Sequence, residues 1–370
     1  MKRIFTNIQK EVSKLMLLTV LAGAIASCDS VLDYEDGDCD IKYRVKFKYD
    51  YNMEKVDAFA QNVKSVTLYA FDDEGNFVYQ KTDQGEPLAD GSYAMDVDID
   101  PQKYHLVTWA GLDNESFAVP VMNKQSEIED LTVLTLRDAV TRAAEGDEGK
   151  YIVKKKNLSP LWHGEAIKGK SVLYTTPATG NSVREEVTTL GLMKNTNNIR
   201  IVVAQVNQHP DTEIPTARAI KDDMFTYAIY DDNGKMNYDN SLMEDVLLTY
   251  EPFVTETDKV TTRAFSAAAE EANTYPAAVA EISIARLVET QNPKLKIYNK
   301  ENETELLPDG SLIRYLGLLK EQNCIDMPLQ EYFDREDNYG MVFFVDENLT
   351  LIKTVIQIND WVININDFEL

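Results

Sequence analysis

Residues 66–79 read VTLYAFDDEGNFVY, and this stretch predicts two antiparallel strands joined by a tight turn. Apolar, β-branched and aromatic residues are typical of strands, and the Asp, Gly and Asn residues between them are typical of a hairpin turn. Residues 226–238 read TYAIYDDNGKMNY and repeat the pattern at one constant offset. Turn chemistry of this kind recurs by chance, so the matches outside the turn carry the argument. They pair Thr67 with Thr226 and Tyr79 with Tyr238.

A further strand precedes the first hairpin. Apolar and cationic residues alternate there, as in a strand with one buried face: the first set is Tyr43, Val45, Phe47 and Tyr49, and the second is Arg44, Lys46 and Lys48. Residues 199–203 (IRIVV) are a rough counterpart ahead of the second hairpin. The recurrence of strand and hairpin in the same order predicts two related β domains in tandem, at residues 41–188 and 189–370.

Strand patterns outnumber helical patterns in the rest of the chain. The further strand candidates are Tyr104 to Trp109, Leu131 to Leu136, Glu281 to Ala285, Lys294 to Tyr298 and Met341 to Val345. Helix propensity is highest at Ala264 to Ala272, and a second short helix is expected at Leu312 to Leu319. Many short strands with little helix predict an all-β protein built from β-sandwiches.

The N-terminus has the three parts of a lipoprotein signal. A cationic stretch precedes an apolar run that is too short to span a bilayer, and small residues then lead directly into Cys28. We expect residues 1–27 to be removed, Cys28 to carry lipid, and the acidic residues 28–40 to form a tether between the membrane and the folded part. Several acyl chains, at about 0.8 kcal/mol per buried methylene, would hold such a protein firmly.

The charge of the chain limits its partners. Residues 1–27 contain four cations and one anion, so their removal lowers the formal charge from −25 to −28. A field of that sign repels phosphate, which makes nucleic acid and anionic lipid headgroups poor partners. The membrane contact expected here is therefore made through the N-terminal lipid alone.

Two cysteines remain beyond the lipidation site. Cys39 and Cys324 can form one disulfide bond in an oxidising compartment, or they can be two buried thiols. The sequence does not set the distance between them, so both alternatives stay open.

No motif in the sequence indicates catalysis, a cofactor or a metal ion. The three histidines, His105, His163 and His209, lie in different segments without acidic or cysteine partners at metal-ligand spacing. The two D-D-x-G turns lack the downstream glutamate of a calcium loop. No serine lies in a G-x-S-x-G elbow, and no glycine-rich loop precedes a helix. We therefore expect a protein that is not an enzyme.

Several motifs together resemble one known family. The second half contains Arg286-Leu287, Leu295-Lys296-Ile297-Tyr298, Gln330 to Asp337, Phe343 to Glu347 and Ile358-Asn359-Asp360-Trp361-Val362. The first half contains Trp109-Ala110-Gly111-Leu112 and Leu161-Trp162-His163-Gly164, and Lys194 to Arg200 opens the second. Over nearly all of the mature chain, these residues resemble the fimbrillin-associated anchor lipoproteins of the Bacteroidales.

This resemblance implies two transthyretin-like β-sandwich domains, a lipid anchor in the outer membrane exposed at the cell surface, and no catalysis. It further implies a partner, a fimbrillin-like pilus subunit, and a role in attaching and limiting a fibre whose subunits exchange strands. Strand addition supplies the physical basis, because an open sheet edge pairs its backbone with an incoming extended segment.

The C-terminal tail predicts a last hairpin. Thr354, Ile356 and Ile358 alternate before a turn at Asn359-Asp360, and the alternation resumes with Trp361, Ile363 and Ile365. We predict that these last three residues contact the first fimbrial subunit; the alternative is that they pack into their own domain.

Two other functions compete with the anchor. A surface glycan-binding lipoprotein could use Trp109 and Trp162 as a stacking platform, although core packing also explains aromatic residues in strands. A stalk or tip subunit of the same fold is the third possibility.

Overall fold

The computed structural model describes residues 41–113, 115–139, 151–153, 157–166, 173–174, 185–207, 219–263, 272–307, 310–322, 325–358 and 361–364. The signal segment, the tether, Cys28, Cys39, Cys324 and Ile365 lie outside these residues, and so does nearly all of the helix predicted at 264–272. None of the helices in the described part has the length and hydrophobicity that crossing a membrane requires.

Strands make up about half of the described chain. Those that precede residue 192 are β1 (Lys42–Lys48), β2 (Ser65–Phe71), β3 (Phe77–Gln84), β4 (Met95–Val97), β5 (His105–Ala110), β6 (Phe117–Ala118), β7 (Val133–Thr135), β8 (Arg137–Ala139), β9 (Tyr151–Val153), β10 (Trp162–Ala166), β11 (Leu173–Tyr174) and β12 (Glu185–Gly191). Those that follow are β13 (Met193–Lys194), β14 (Thr196–Gln205), β15 (Phe225–Asp231), β16 (Lys235–Met236), β17 (Leu248–Tyr250), β18 (Val254–Arg263), β19 (Ala272–Ala285), β20 (Lys294–Asn299), β21 (Thr304–Glu305), β22 (Asn338–Val345), β23 (Leu351–Ile358) and β24 (Trp361–Asn364).

Helices are few and short, as the sequence predicts. The described residues form α1 (Phe59–Asn62), α2 (Leu312–Gln322) and α3 (Leu329–Arg335). Helix α2 begins where the sequence places it and continues three residues further. The predicted all-β class is confirmed.

The strands of the described ranges form five sheets. Sheet 1 has the order β11-β12-β1-β4, sheet 2 the order β13-β10-β5-β2-β3, sheet 3 the order β18-β19-β14-β22-β23-β24, sheet 4 the order β21-β20-β15-β17-β9-β8, and sheet 5 the order β16-β7-β6. Most neighbours are antiparallel, whereas β14 with β22 and β17 with β9 are parallel.

Sheets 1 and 2 enclose one apolar core. In β1, Val45 and Phe47 are at most 1% exposed, and they belong to a cluster with Leu68 of β2 and Leu106 of β5. Lys46 and Lys48, which alternate with them, are only partly buried. The period of two predicted for this strand is therefore confirmed, and it turns one face of sheet 1 toward sheet 2.

Sheets 3 and 4 enclose a second, larger core. Ile199, Ile201 and Val203 point inward from β14 and share a buried cluster with Ile229 of β15 and Leu295 of β20. The same cluster includes Trp109 and Val107 of sheet 2. It also includes Phe117 of β6 and Leu131, which precedes β7. Apolar packing is thus continuous from sheet 2 into the second half of the chain.

The predicted domain boundary falls inside an element. Strand β12 spans residues 188 and 189 and belongs to sheet 1, while β8 and β9 from the first half belong to sheet 4. Residues 43–175 and 187–370 form one compact unit. The tandem division of the chain at residue 188 stays a prediction.

The first repeated hairpin is confirmed and the second is wrong. Strands β2 and β3 pair antiparallel around the turn at Asp72. In the second copy, β15 pairs with β17 and β20, and the residues after its turn form β16, which pairs with β7. The side chain of Asn233 is fully buried and is held by Tyr250 and by the main chain of Arg286, so the turn leads the chain into another sheet instead of folding it back.

The two turns also differ in the environment of their first aspartate. Asp72 is only partly buried, and its carboxylate accepts hydrogen bonds from the side chain and the main chain of Asn76 and from the main chain of Glu74, which lower its pKa. Asp231 is 2% exposed; its Oδ1 accepts from the N–H of Asp232, and its Oδ2 has no hydrogen-bond partner among the described residues. Burial, and secondarily the charge of Asp232, raise the pKa of Asp231 from 3.8 to about 7.

We expect Asp231→Asn to raise the free energy of unfolding at pH 8 and to raise it less at pH 5. Between pH 3.8 and about pH 7, Asp231 is protonated in the folded protein but ionised in the unfolded chain. The wild-type protein therefore loses stability as the pH rises through this interval, and the asparagine variant does not. Urea unfolding at both pH values measures the difference. Asp72→Asn is the matched control and should give no gain at pH 8; an equal gain from both variants would contradict the assignment.

Candidate functional site

The C-terminal hairpin lies at one edge of sheet 3. Strand β23 pairs antiparallel with β22, and β24 pairs antiparallel with β23, so that Trp361 is opposite Ile358 and Ile363 is opposite Ile356. The predicted tail hairpin is confirmed at the level of the backbone. Strand β24 has no neighbour on its outer side among the described strands. Trp361 and Ile363 are therefore on an edge strand, and Ile365 lies outside the described residues.

An edge strand presents backbone N–H and C=O groups that its own sheet does not use. Such a row of groups can pair with an extended segment of another chain, and alternate side chains then provide specificity. The described part of β24 offers four residues for this pairing. The position of the hairpin is consistent with the predicted subunit contact, which itself stays a prediction.

Sheet 3 carries apolar residues on both of its faces. One face belongs to the core shared with sheet 4, and the opposite face has a second buried cluster. Its members come from three adjacent strands: Val202, Ala204, Ala277, Val279, Val342 and Phe344. The ring of Tyr275 lies edge-on to that of Phe344, with their centroids 5.7 Å apart. The outer face of this sheet is thus not an ordinary solvated face.

A groove of about 460 Å³ opens on the outer face beside this cluster. Its apolar lining includes Val202, Val260 and Val342, and its polar lining includes Arg200 and Glu281. Arg200 forms an ion pair with Glu281 on the neighbouring strand. The groove therefore combines valine side chains with a partly exposed ion pair.

The histidines have structural partners. Nε2 of His105 is 2.7 Å from Oε1 of Glu165. His163 is buried beside the Trp109 ring, with ring centroids 4.8 Å apart, and its Nε2 donates to the carbonyl oxygen of Tyr238. Burial lowers the pKa of His163 to about 4, so the ring is neutral at neutral pH. His209 lies outside the described residues.

No group of three histidine, cysteine or acidic side chains within the described ranges is placed to hold a metal ion. Trp109 and Trp162 are at most 2% exposed. They pack in the interior, so these two residues do not form the stacking platform that the glycan-binding alternative requires.

A cluster of polar side chains that includes Asn195 was not predicted from the sequence. Asn195, Asn240, Arg286 and Asp334 come from four separate segments and are joined by hydrogen bonds. The motifs that carry the family resemblance contain three members of this cluster and a neighbouring lysine: Asn195, Arg286, Asp334 and Lys194. Those motifs were the signal in the sequence that could have indicated the cluster. Sequence proximity alone does not bring them together.

Comparisons with known proteins agree with this architecture. The family model of fimbrillin-A associated anchor proteins Mfa1 and Mfa2 matches residues 35–367. A candidate adhesin from Bacteroides thetaiotaomicron is 33% identical, with a TM-score of 0.67 over 88% of this chain and 97% of the other. A candidate polysaccharide-binding protein from the same species is 26% identical, with a TM-score of 0.64 over 88% and 98% of the two chains.

The fimbrial anchor protein Mfa2 from Porphyromonas gingivalis shares the fold at lower identity. It is 12% identical, with a TM-score of 0.53 over 88% of this chain and 99% of the other. No curated protein gives a significant sequence match. Because the family model covers most of the sequence, the chain belongs to the family of fimbrillin-A associated anchor proteins Mfa1 and Mfa2.

Proposed function

We propose that this protein is an outer-membrane lipoprotein that anchors, and terminates, a fimbrium and so supports cell adhesion. Membership in the fimbrial anchor family is the observation that carries the proposal. The signal ending at Cys28 supports a lipid attachment at the N-terminus. The partner is a fimbrillin-like subunit, and no catalytic step is involved.

Strand addition at β24 is the proposed mode of attachment. An extended segment of the first subunit would pair with the outer edge of β24, with Trp361, Ile363 and Ile365 supplying the side-chain contacts. Each backbone hydrogen bond contributes only about 0.5–1.5 kcal/mol, so side-chain contacts must add to the pairing. The attachment point would then lie far along the chain from the lipid, at the opposite terminus.

The glycan-binding alternative has weaker support. One similar protein is named for polysaccharide binding, but the tryptophans proposed for stacking are buried here. A stalk or tip subunit of the same fold is the other alternative, and a mature protein lacking its N-terminal strand would favour the stalk subunit.

Crosslinking on cells, followed by purification of this protein, tests the proposed contact. We expect a fimbrillin-like subunit to be recovered with the wild-type protein and to be lost when residues 361–370 are deleted. A charge on an edge strand opposes pairing, so Ile363→Lys should also reduce recovery. We expect a loss of about tenfold, which corresponds to about 1.4 kcal/mol of binding free energy.

The matched control is Asp258→Lys, which places lysine on β18 at the opposite edge of sheet 3. This control should leave recovery unchanged. Hydrogen exchange of β22 verifies that each variant is folded. Undiminished recovery from a folded deletion variant would remove the β24 contact. Failure to recover any fimbrial subunit with the wild-type protein would contradict the anchor function.

A further inference from the structure

The chain crosses from sheet 2 to sheet 3 through a single residue. Strand β13 ends at Lys194 and β14 begins at Thr196, and Asn195 lies between them. Asn195 is fully buried, and its N–H donates to the carbonyl oxygen of Leu161 at 2.7 Å. A crossing of one buried residue leaves no free linker between the two sheets.

The side chain of Asn195 forms a reciprocal amide pair with Asn240. Nδ2 of Asn195 donates to Oδ1 of Asn240 at 2.6 Å, and Nδ2 of Asn240 donates to Oδ1 of Asn195 at 3.2 Å. Asn240 adopts a left-handed backbone conformation with φ of 67°, which asparagine tolerates better than most residues. Both amides are buried, so the loss of either partner leaves an unpaired polar group in the interior.

Arg286 connects this amide pair to helix α3. Its guanidinium donates to the carbonyl oxygen of Asn240 and to Oδ1 of Asp334, the latter at 3.1 Å. The side chains of Arg286 and Asp334 are 15% and 12% exposed. Gln330 donates to the same carboxylate oxygen at 2.8 Å, and Asn233 donates to the main-chain oxygen of Arg286 at 3.0 Å. The Arg286 guanidinium therefore links Asp334 to Asn240, and Asn240 in turn binds the crossing residue Asn195.

Contacts around the crossing also reach sheet 2 and the segment that follows β1. Lys194 of β13 forms an ion pair with Asp337, which follows α3. The Arg335 guanidinium lies 3.9 Å from the ring centroid of Tyr51, which follows β1. Helix α3 and the residues after it thereby contact strand β13 of sheet 2 and the segment that follows β1 of sheet 1.

We infer that Asn195, Asn240, Arg286 and Asp334 form a junction clamp, which couples sheets 1 and 2 to sheets 3 and 4 so that they unfold as one unit. The apolar packing that continues from sheet 2 into the second core supplies contact area, and the clamp fixes the register of that contact. This inference does not depend on the proposed function. For an anchor, its consequence is that tension between the two termini meets one cooperative structure instead of two units in series.

Hydrogen exchange of the full protein over a urea series tests the clamp. Peptides from β1 and β4, whose buried residues belong to the first core alone, report that core, and peptides from β15 and β20 report the second. In the wild-type protein, both sets should lose protection at the same urea concentration. In Arg286→Ala, the two sets should separate, with one losing protection at a lower concentration than the other. Non-coincident loss in the wild-type protein would overturn the inference.

Two further variants keep the test decisive. Arg200→Ala removes an arginine from an exposed ion pair on sheet 3, and it should leave the two losses of protection coincident. Asp334→Asn keeps the shape of the side chain but removes its charge. It should separate the two sets of peptides by a smaller interval of urea concentration than Arg286→Ala does. If Arg286→Ala does not fold, the result for Asp334→Asn decides whether the clamp couples the cores. Coincident loss in every folded variant of the clamp would show that apolar packing and the pairing of β9 with β17 couple the cores without it, which contradicts the assignment.

Discussion

Cys28→Ala is expected to leave this protein without N-terminal lipid, so that molecules whose signal segment has been removed are in the soluble fraction with an unchanged fold. A lipidating signal peptidase requires a cysteine directly after the small residues, and alanine offers no thiol to acylate. Each buried methylene contributes about 0.8 kcal/mol, so several acyl chains account for nearly all of the membrane affinity of a mature chain whose formal charge is −28, which is −25 less the net +3 of residues 1–27. Fractionation of cells and the mass of the mature N-terminus measure the effect.

The other cysteine of the N-terminal region provides the control for this prediction. Cys39→Ala also removes a thiol but lies beyond the proposed cleavage site, so the variant should stay in the membrane fraction. If Cys28→Ala stays in the membrane fraction although residues 1–27 have been removed, lipidation at Cys28 is contradicted.

Gly111→Ala is expected to destabilise the protein by about 2–5 kcal/mol. Gly111 follows β5 with φ of +85°, and a Cβ atom there would lie 2.0 Å from the carbonyl oxygen of Pro160 and 3.2 Å from the Trp162 ring. The left-handed conformation contributes about 1–2 kcal/mol of this cost, and displacement of the Pro160 main chain contributes the rest. Urea unfolding measures the change.

Two other glycines separate these two contributions. Gly85 has φ of +82° but open space around its Cβ position, so Gly85→Ala should show the backbone cost alone. Gly91 has open space and no left-handed conformation, and Gly91→Ala should stay within about 0.5 kcal/mol of the wild type. Equal stability of the Gly111 and Gly91 variants would show that the loop moves away from the added methyl group at little cost.

Local patterns predicted the elements whose surroundings are set by nearby residues. The alternation of Val45 and Phe47 with lysines predicts one buried face, and β1 has one. The turn at Asp72 satisfies its own carboxylate through Glu74 and Asn76, so its sequence alone determines a hairpin.

Long-range contacts decided the elements that the sequence did not predict. The turn at Asp231 has nearly the same residues as the turn at Asp72, yet Tyr250 and Arg286 bind Asn233 and redirect the chain. Local chemistry cannot distinguish two turns that differ in what surrounds them. The tail hairpin was predictable because its alternation is regular. The junction clamp was not, because Asn195 and Asp334 are linked through Asn240 and Arg286 only in the folded chain.

The description of this protein as a fimbrial anchor is most directly tested by where its fibres are found. Fimbriae should be counted on cells and in the culture medium, for the wild-type strain and for a strain with Cys28→Ala, by immunodetection of the fimbrial subunit. If this protein holds the fibre to the membrane, the wild-type fibres are on cells and those of the Cys28→Ala strain are in the medium at similar total amount. Fibres that remain on cells in the Cys28→Ala strain, while the variant itself is soluble, would contradict the anchoring function.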